Sequence, residues 1–452
     1  MKTDMLKKGF YPEIFRLVLP IAVQNLITTA VNSADVIMLG YVSQTALSAS
    51  SLANQIQFIL TLLYAGMSSG TIMLAAQYWG KKDTLAIEKI MGIALRLSIC
   101  ISVLFAIGAC FFPRVLMMIF TSEEQLIVAG VEYLRIVGIS YLFMGVSQIY
   151  LCVMRSVERV VFSTIVNGTA LGLNIVLNAI LIFGLFGFPA MGIAGAALAT
   201  TIARGIELAL CLINAVFFKT VRLRISSIFE KNPVLFQDFL RYSLPAFGNE
   251  LVWGVGFSMY SVIMGHLGSD IVAANSVVMV VRNLGKILCS GLSSGGAILL
   301  GKEIGANCIE QAKENARKLY RITILAGAFG GLLIFLLRPV IMQMVSLTDT
   351  AMEYLNIMTF INVYYIIGVA VNTVFICGIF RSGGDSRYGF LCDVIDMWLF
   401  SVPLGFLNAF VFNLPPMVVY FVICLDEFVK IPFVYHHYKS YRWLKNITRE
   451  NV

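Results

Sequence analysis

The chain has 452 residues, 59% of them hydrophobic and only 13% charged, with a mean hydropathy of +0.85. That composition excludes a soluble globule of this size. Its apolar runs, mostly longer than the roughly 20 residues that a membrane helix needs, exclude a barrel of short alternating strands as well. The net charge of +8 does not point to nucleic acid, because the basic residues are scattered over loops where anionic lipid headgroups are the natural counterions.

In chain order, MKTDMLKKGFYPEIF reads as a cytoplasmic leader to a retained first span, since it carries acids and lacks a small-residue cleavage site. Twelve helical spans follow, near 14–40, 46–78, 90–112, 130–154, 160–184, 190–218, 238–265, 271–301, 319–342, 352–380, 388–411 and 416–437. Of the 33 basic residues, 26 fall in or beside segments on one face, against Arg114 and Arg338 on the other, which puts both termini in the cytoplasm and requires an even number of spans.

Span 1, "LPIAVQNLITTAVNSADVIMLG" (19–40), carries Asn25, Thr28, Asn32 and Asp35 on one helical stripe. A charged side chain at the bilayer centre costs on the order of 3 kcal/mol, so Asp35 needs a partner, a water-filled cavity or a proton. Span 2 offers Asn54, Gln57, Thr61, Tyr64 and Ser68 in similar spacing, and span 5 offers Asn167, Asn174 and Asn178. Oxygens converging on one carboxylate make either a sodium cage or a proton relay; the alternative is interhelical glue. In span 6, Arg204 and Glu207 stand three apart, as an ion pair on one helix would.

Span 7 places Glu250, Trp253, Phe257 and Tyr260 on one stripe, an aromatic wall with a single acid that suits a flat lipophilic cation. Arg282 and Lys286, one turn apart on span 8, repel unless acids face them, and Asp393, Asp396 or Glu427 from spans 11 and 12 are the expected partners in a C-lobe polar network. Asp426 and Lys430, four apart, have the spacing of a pair on one helix.

Shifting the chain by 225 residues superposes Leu19–Gly80 on Leu244–Gly305 without gaps, with 14 identities in 62 positions. Composition alone would give roughly four, so the chain contains a repeat. Leu19-Pro20 meets Leu244-Pro245, and "AGMSSG" meets "SGLSSG". An offset of six spans keeps both copies in the same orientation, so the expected fold is an all-α integral membrane protein of two six-helix lobes related by a pseudo-twofold along the membrane normal. The lobes are 1–218 and 238–452, the latter with a short cytoplasmic tail, joined by a cytoplasmic linker at 219–237. Pro20 and Pro245 are candidate hinges.

The nine cysteines show no C-x-x-C and no histidine at ligand spacing, so no disulfide or structural metal is expected. "RSGGDSR" (381–387) reads as a Gly-hinged cytoplasmic turn, lacking the strand and Lys-Ser/Thr ending of a P-loop. Transport driven directly by ATP hydrolysis in this chain is therefore excluded. No G-x-S-x-G or H-E-x-x-H occurs, and no enzyme is expected.

With Pro20 in span 1, "NSADVIMLG" after it, the repeated "LP…G…SSG" halves and "RSGGDSR…MWLFSVPLGF", the sequence resembles the MATE family of multidrug and toxic compound extrusion transporters over essentially its whole length. The resemblance is closer to the DinF-type branch than to the NorM-type branch. It implies that Asp35, with Asn174 and with Thr200 or Thr201, takes up a coupling proton or sodium ion, and that Pro20 kinks the first helix. Asn178 stands where archaeal relatives carry a second aspartate, which leaves the ion open. A NorM-type pair looks incomplete, since Glu250 lies nearer the proline than in that branch and span 10 brings no acid to it.

The expectation is a multi-pass protein of the cell membrane that exports organic, cationic and amphipathic compounds in exchange for H+ or Na+ by alternating access. Asp35, Asn174, Asn178, Thr200 and Asn32 are the ion-coupling candidates; Glu250, Trp253, Phe257, Tyr260, Asn54, Gln57 and Tyr64 are the substrate-binding ones. Its partners would be small organic substrates and the bilayer, without nucleic acid, cofactor or metal beyond possible sodium, and the protein would be a monomer. The alternatives are a lipid-linked oligosaccharide flippase, for which only Arg204, Arg282 and Lys286 are available to a pyrophosphate, and a membrane sensor that does not transport.

Overall fold

The computed structural model describes residues 9–218, 220–345 and 347–450, apart from the side chains of Asn32, Ser33, Val36, Ile225 and Met344. Helices joined by short turns make up nearly all of it, and no strand occurs among the described residues. Helix α1 (Phe10–Val42) contains Pro20, which removes one intrahelical hydrogen bond. Downstream, the Thr28 and Thr29 hydroxyls donate back to the carbonyls of Gln24 and Asn25 at 2.9 and 3.0 Å, so neither O–H is left unpaired in an apolar setting.

Helix α2 (Gln44–Lys81) starts where the Ser43 hydroxyl accepts the Ala46 N–H at 3.0 Å, and α3 (Thr84–Phe111) starts where Asp83 does the same for Ala86. Next come α4 (Glu124–Ser156), α5 (Val160–Phe183) and α6 (Gly192–Phe217). Gly184 stops α5 in the left-handed region at φ 72°, where a Cβ would stand 2.7 Å from the Ala190 nitrogen.

The second half contributes α7 (Pro233–His266), α8 (Ser269–Gly305), α9 (Ile309–Met344), α10 (Asp349–Phe380) and α11 (Ser386–Val411). Two shorter helices, α12 (Pro416–Ile423) and α13 (Asp426–Lys439), complete it. Ten of these helices are long and apolar enough to cross a membrane. The other two predicted spans are α7, which carries Arg241, Asn249 and Glu250, and the 416–437 stretch, which breaks into α12 and α13. Exposed Leu325, Leu336 and Leu399 cover outer faces with side chains suited to lipid. The C-terminal part of α10 and two stretches of α11 (Val394–Ser401 and Leu407–Val411) are wound as π-helix, a local widening that recurs at functional positions.

The chain divides into two compact units, Val23–Leu240 and a second of Arg241–Glu450 together with the residues up to Ala22. In the first, α3 packs on α4, and α4 also on α2 and α6; in the second, α10 packs on α8, α9 and α13. The first half of α1 groups with the second unit, unlike the expected lobe of residues 1–218. The repeated Gly-Ser motif explains it: Cβ atoms on Gly291 and Gly295 would stand 3.1 and 2.9 Å from methyls of Val18, so only glycines let α8 approach α1 so closely. The expected linker is tied to the first unit through α3. Arg96 donates to the carbonyls of Ile228 and Glu230, both at 2.7 Å, and Glu88 accepts from the Arg222 N–H and from Arg224.

Candidate functional site

Each unit encloses a polar cavity. That of the first unit, about 590 Å³, lies among α1, α2, α4, α5 and α6. Asp35, at the far end of α1, lines it and accepts a hydrogen bond from Asn178 Nδ2 at 2.6 Å. The same amide group faces Asn174 Oδ1 at 3.3 Å, and Asn174 Nδ2 in turn donates to Thr200 Oγ1 at 3.3 Å. Four residues from three helices thus form one chain of contacts. The spacing of four between Asn174 and Asn178 stacks them on one face of α5, and α6 brings Thr200 across to it.

Asn178 is 1% exposed and its Oδ1 has no hydrogen-bond partner, because the other end of the amide must turn its N–H toward the Asp35 carboxylate. No basic side chain lies within ion-pair distance of Asp35 among the described residues. Arg204 lines the cavity but is held by Glu207 at 2.6 Å, and Glu207 also accepts from Ser147 at 2.8 Å. The three-residue spacing of that pair is the arrangement its sequence predicts.

Asn54 and Gln57 line this cavity, with Tyr133 from α4 donating to Asn54 at 3.1 Å. Tyr64 does not. Its hydroxyl is 2.6 Å from Ser102 Oγ in the packed contact of α2 with α3, because the polar stripe on α2 runs on past Thr61, the last residue of that helix to line the cavity. Thr200 faces the cavity, whereas Thr201 donates to the carbonyls of Ile136 and Ala197, so of the two Thr200 is the one that lines it. Asn167 bonds the Ser163 carbonyl within its own helix. Asn32 lies outside the described side chains.

The cavity of the second unit, about 240 Å³, is bordered by α7, α8, α10, α11 and α13. Trp253 and Phe257 form part of its wall, their rings 4.6 Å apart. Tyr260 is not among its lining residues; it is buried and donates to Asp426 at 3.1 Å. Glu250 borders the cavity but its carboxylate meets Arg381 at 3.0 Å, and the same guanidinium reaches Asn249 at 2.8 Å. Arg381, expected in a cytoplasmic turn, is 6% exposed, because the π-wound end of α10 carries the helix on to it. Nothing in the sequence pattern flagged it, since a Gly-Gly turn begins two residues later.

The expected pairing of Arg282 and Lys286 with acids does not occur within ion-pair distance among the described residues. Asp393, Asp396 and Glu427 instead surround Lys430, at 2.7, 3.4 and 3.8 Å. Asn249 donates to Asp393, and Asn372 to Glu427 at 2.6 Å. Asp426 does not pair with Lys430 despite the spacing of four. It begins α13, so its carboxylate accepts the Glu427 N–H at 2.7 Å. Arg282 donates to Asn362 and Tyr420 at 2.8 and 2.9 Å, and its guanidinium stands 4.6 Å from the Tyr365 ring centre. Pro20 and Pro245 both lie inside their helices.

Comparison with known proteins agrees with this architecture. The MatE family model matches the chain twice, over residues 20–180 and 245–407, and the two matches begin 225 residues apart, the offset of the internal repeat. An uncharacterised transporter, YisQ, of Bacillus subtilis is 22% identical over 96% of this chain and 95% of its own length. A probable multidrug resistance protein, NorM, of Thermotoga maritima is also 22% identical, over 97% and 95%. A solved MATE transporter of the MOP superfamily in an outward-facing conformation superposes with a TM-score of 0.88 at 17% identity, covering 97% of each chain. The chain is a multi-pass membrane protein that belongs to the MatE family of multidrug and toxic compound transporters.

Proposed function

We propose that this protein is an antiporter that expels organic amphipathic compounds in exchange for H+ or Na+, loaded at Asp35. The observation that carries the reading is the arrangement around that carboxylate. It sits in a cavity, unpaired with any cation, and beside it the Asn178 carbonyl oxygen is buried without a partner. A permanent charge there is costly, and a buried acceptor left unmade adds about 1–3 kcal/mol. A proton on Asp35 removes the charge. A sodium ion shared by Asp35 with Asn178, Asn174 and Thr200 oxygens also satisfies the orphan acceptor, and those hard donors suit it. Either ion drives alternating access only if one conformation binds it better than the other. The site belongs in the cell membrane, in a monomer with both termini cytoplasmic.

The cationic substrate class expected from Glu250 loses its basis, since Arg381 already neutralises that carboxylate. A lipid-linked pyrophosphate is less suited still, because Arg204 is engaged by Glu207 and only Arg282 and Lys286 remain.

The test is substrate efflux from proteoliposomes with proton and sodium gradients imposed separately. One gradient supports uphill flux in the wild type, and Asp35→Asn abolishes it at unchanged protein level. Undiminished gradient-driven flux in Asp35→Asn would refute the assignment.

A further inference from the structure

The two cavities differ in the charge they leave unmet. Across the repeat, Gln57 and Thr61 of α2 correspond to Arg282 and Lys286 of α8, so neutral side chains in one copy become cations in the other. The second cavity is lined by three acids and three bases, but they are not matched one to one. Every lining acid has a basic partner within 4 Å: Glu250 has Arg381, while Asp393 and Glu427 share Lys430. Arg282 is satisfied by neutral oxygens on Asn362 and Tyr420. The remaining acids, Asp396 and Asp426, are not among the lining residues, and Asp396 too is within reach of Lys430.

Lys286 stands apart. Its ammonium lies 4.9 Å from the centre of the Trp253 ring and makes no ion pair or hydrogen bond among the described residues. An ammonium has three donors to satisfy. Lys286 is half-buried, and contact with an aromatic face offsets only part of the cost of drawing a cation away from water. The unmet demand on this wall is therefore for negative charge, beside aromatic and apolar surface supplied by Trp253, Phe257, Val369 and Ile376.

We propose that the cavity of the second unit binds a small organic anion, its carboxylate or sulfonate held by Lys286 and its ring laid against Trp253 and Phe257. The volume of about 240 Å³ falls just below the roughly 300–1,000 Å³ of sites for drug-sized ligands, so the ligand has one or two rings. That this anion is cargo rests on the transport reading above; that it binds does not.

The experiment is equilibrium dialysis of full-length protein in lipid nanodiscs against 2-naphthoate, 2-naphthamide and 2-naphthylmethylammonium, which share a ring system and differ in charge. Naphthoate is expected to bind at least ~10-fold more tightly than the neutral amide, and the ammonium compound to compete with neither. Lys286→Met should weaken naphthoate ~10- to 100-fold with little change for the amide, and Lys286→Arg should largely restore it. Tighter binding of the ammonium compound, lost in Glu250→Gln, overturns the proposal, as does unchanged naphthoate affinity in Lys286→Met. The charge series in wild-type protein decides the matter even where a variant fails to fold. Gradient-driven flux that survives Asp35→Asn refutes the coupling assignment and leaves the dialysis result standing; dialysis that favours the cation refutes only the anion site.

Discussion

Lys430 is the position at which the buried charges of the second unit can be weighed. It is 5% exposed and has three carboxylates at 2.7, 3.4 and 3.8 Å, each also nearly buried. At an effective dielectric of about 20, each contact supplies roughly 4–6 kcal/mol of gross attraction. Mutual repulsion among the acids and a burial cost of several kcal/mol per ion offset most of that. Removing the single cation leaves the costs and deletes the attraction, and for buried pairs that imbalance amounts to about 3–5 kcal/mol. Lys430→Met, which keeps the length and apolar stem of the side chain, should destabilise the protein by that amount. Asp393→Asn alone should cost less, because Lys430 retains two other carboxylates. Combining the two should recover at least about 1 kcal/mol relative to Lys430→Met, since one stranded charge has gone. The assay is the unfolding midpoint in one detergent at one pH, followed by intrinsic fluorescence with the double-mutant cycle completed. A Lys430→Met protein as stable as wild type, or a double mutant whose loss equals the sum of the single losses, would refute the view of Lys430 as the hub of the network.

Two smaller perturbations separate the cavity of the first unit from its packing. Thr200→Val removes the acceptor used by Asn174 and should raise the concentration of coupling ion needed for half-maximal flux by ~5- to 10-fold, from about 1 kcal/mol of lost interaction; Thr201→Val, whose hydroxyl serves only backbone carbonyls, should leave that concentration unchanged. Tyr64→Phe should lower stability by about 1 kcal/mol through the lost contact with Ser102, without altering substrate affinity in equilibrium binding.

The twelve spans and the repeat are legible in the sequence because both rest on strong signals. Apolar runs long enough for lipid have few other uses, and glycines that must admit Val18 recur at fixed spacing. The contacts of Asp35 with span 5 are legible for a related reason: polar side chains at helical spacing in an apolar run need a common destination, and Asp35, Asn174 and Asn178 share one, whereas a threonine of span 6 entered only through the family resemblance. What one helix cannot reveal is which partner wins when several are available. Asp426 and Lys430 have the spacing of a pair, yet the start of α13 at Asp426 gives its carboxylate a backbone partner and leaves Lys430 to acids from elsewhere. Tyr64 follows the polar stripe of α2 by spacing, and the stripe simply outruns the cavity.

The largest departure, the engagement of Glu250 by Arg381, has a physical consequence for specificity. An acid read alone on an aromatic stripe suggests a cation site; paired at 3.0 Å with a buried guanidinium, it presents little net charge. The sign that a cavity offers its ligand is set by whichever charge lacks a partner, not by the count of acids and bases along the wall. In the first unit that group is Asp35, with amide and hydroxyl oxygens around it; in the second it is Lys286, over an indole ring. The two halves of the repeat thus place an acid without a cationic partner in one unit and a cation without an acidic partner in the other, among the described residues. On the exchange proposed above, such a division gives the coupling cation and an anionic cargo separate places to bind.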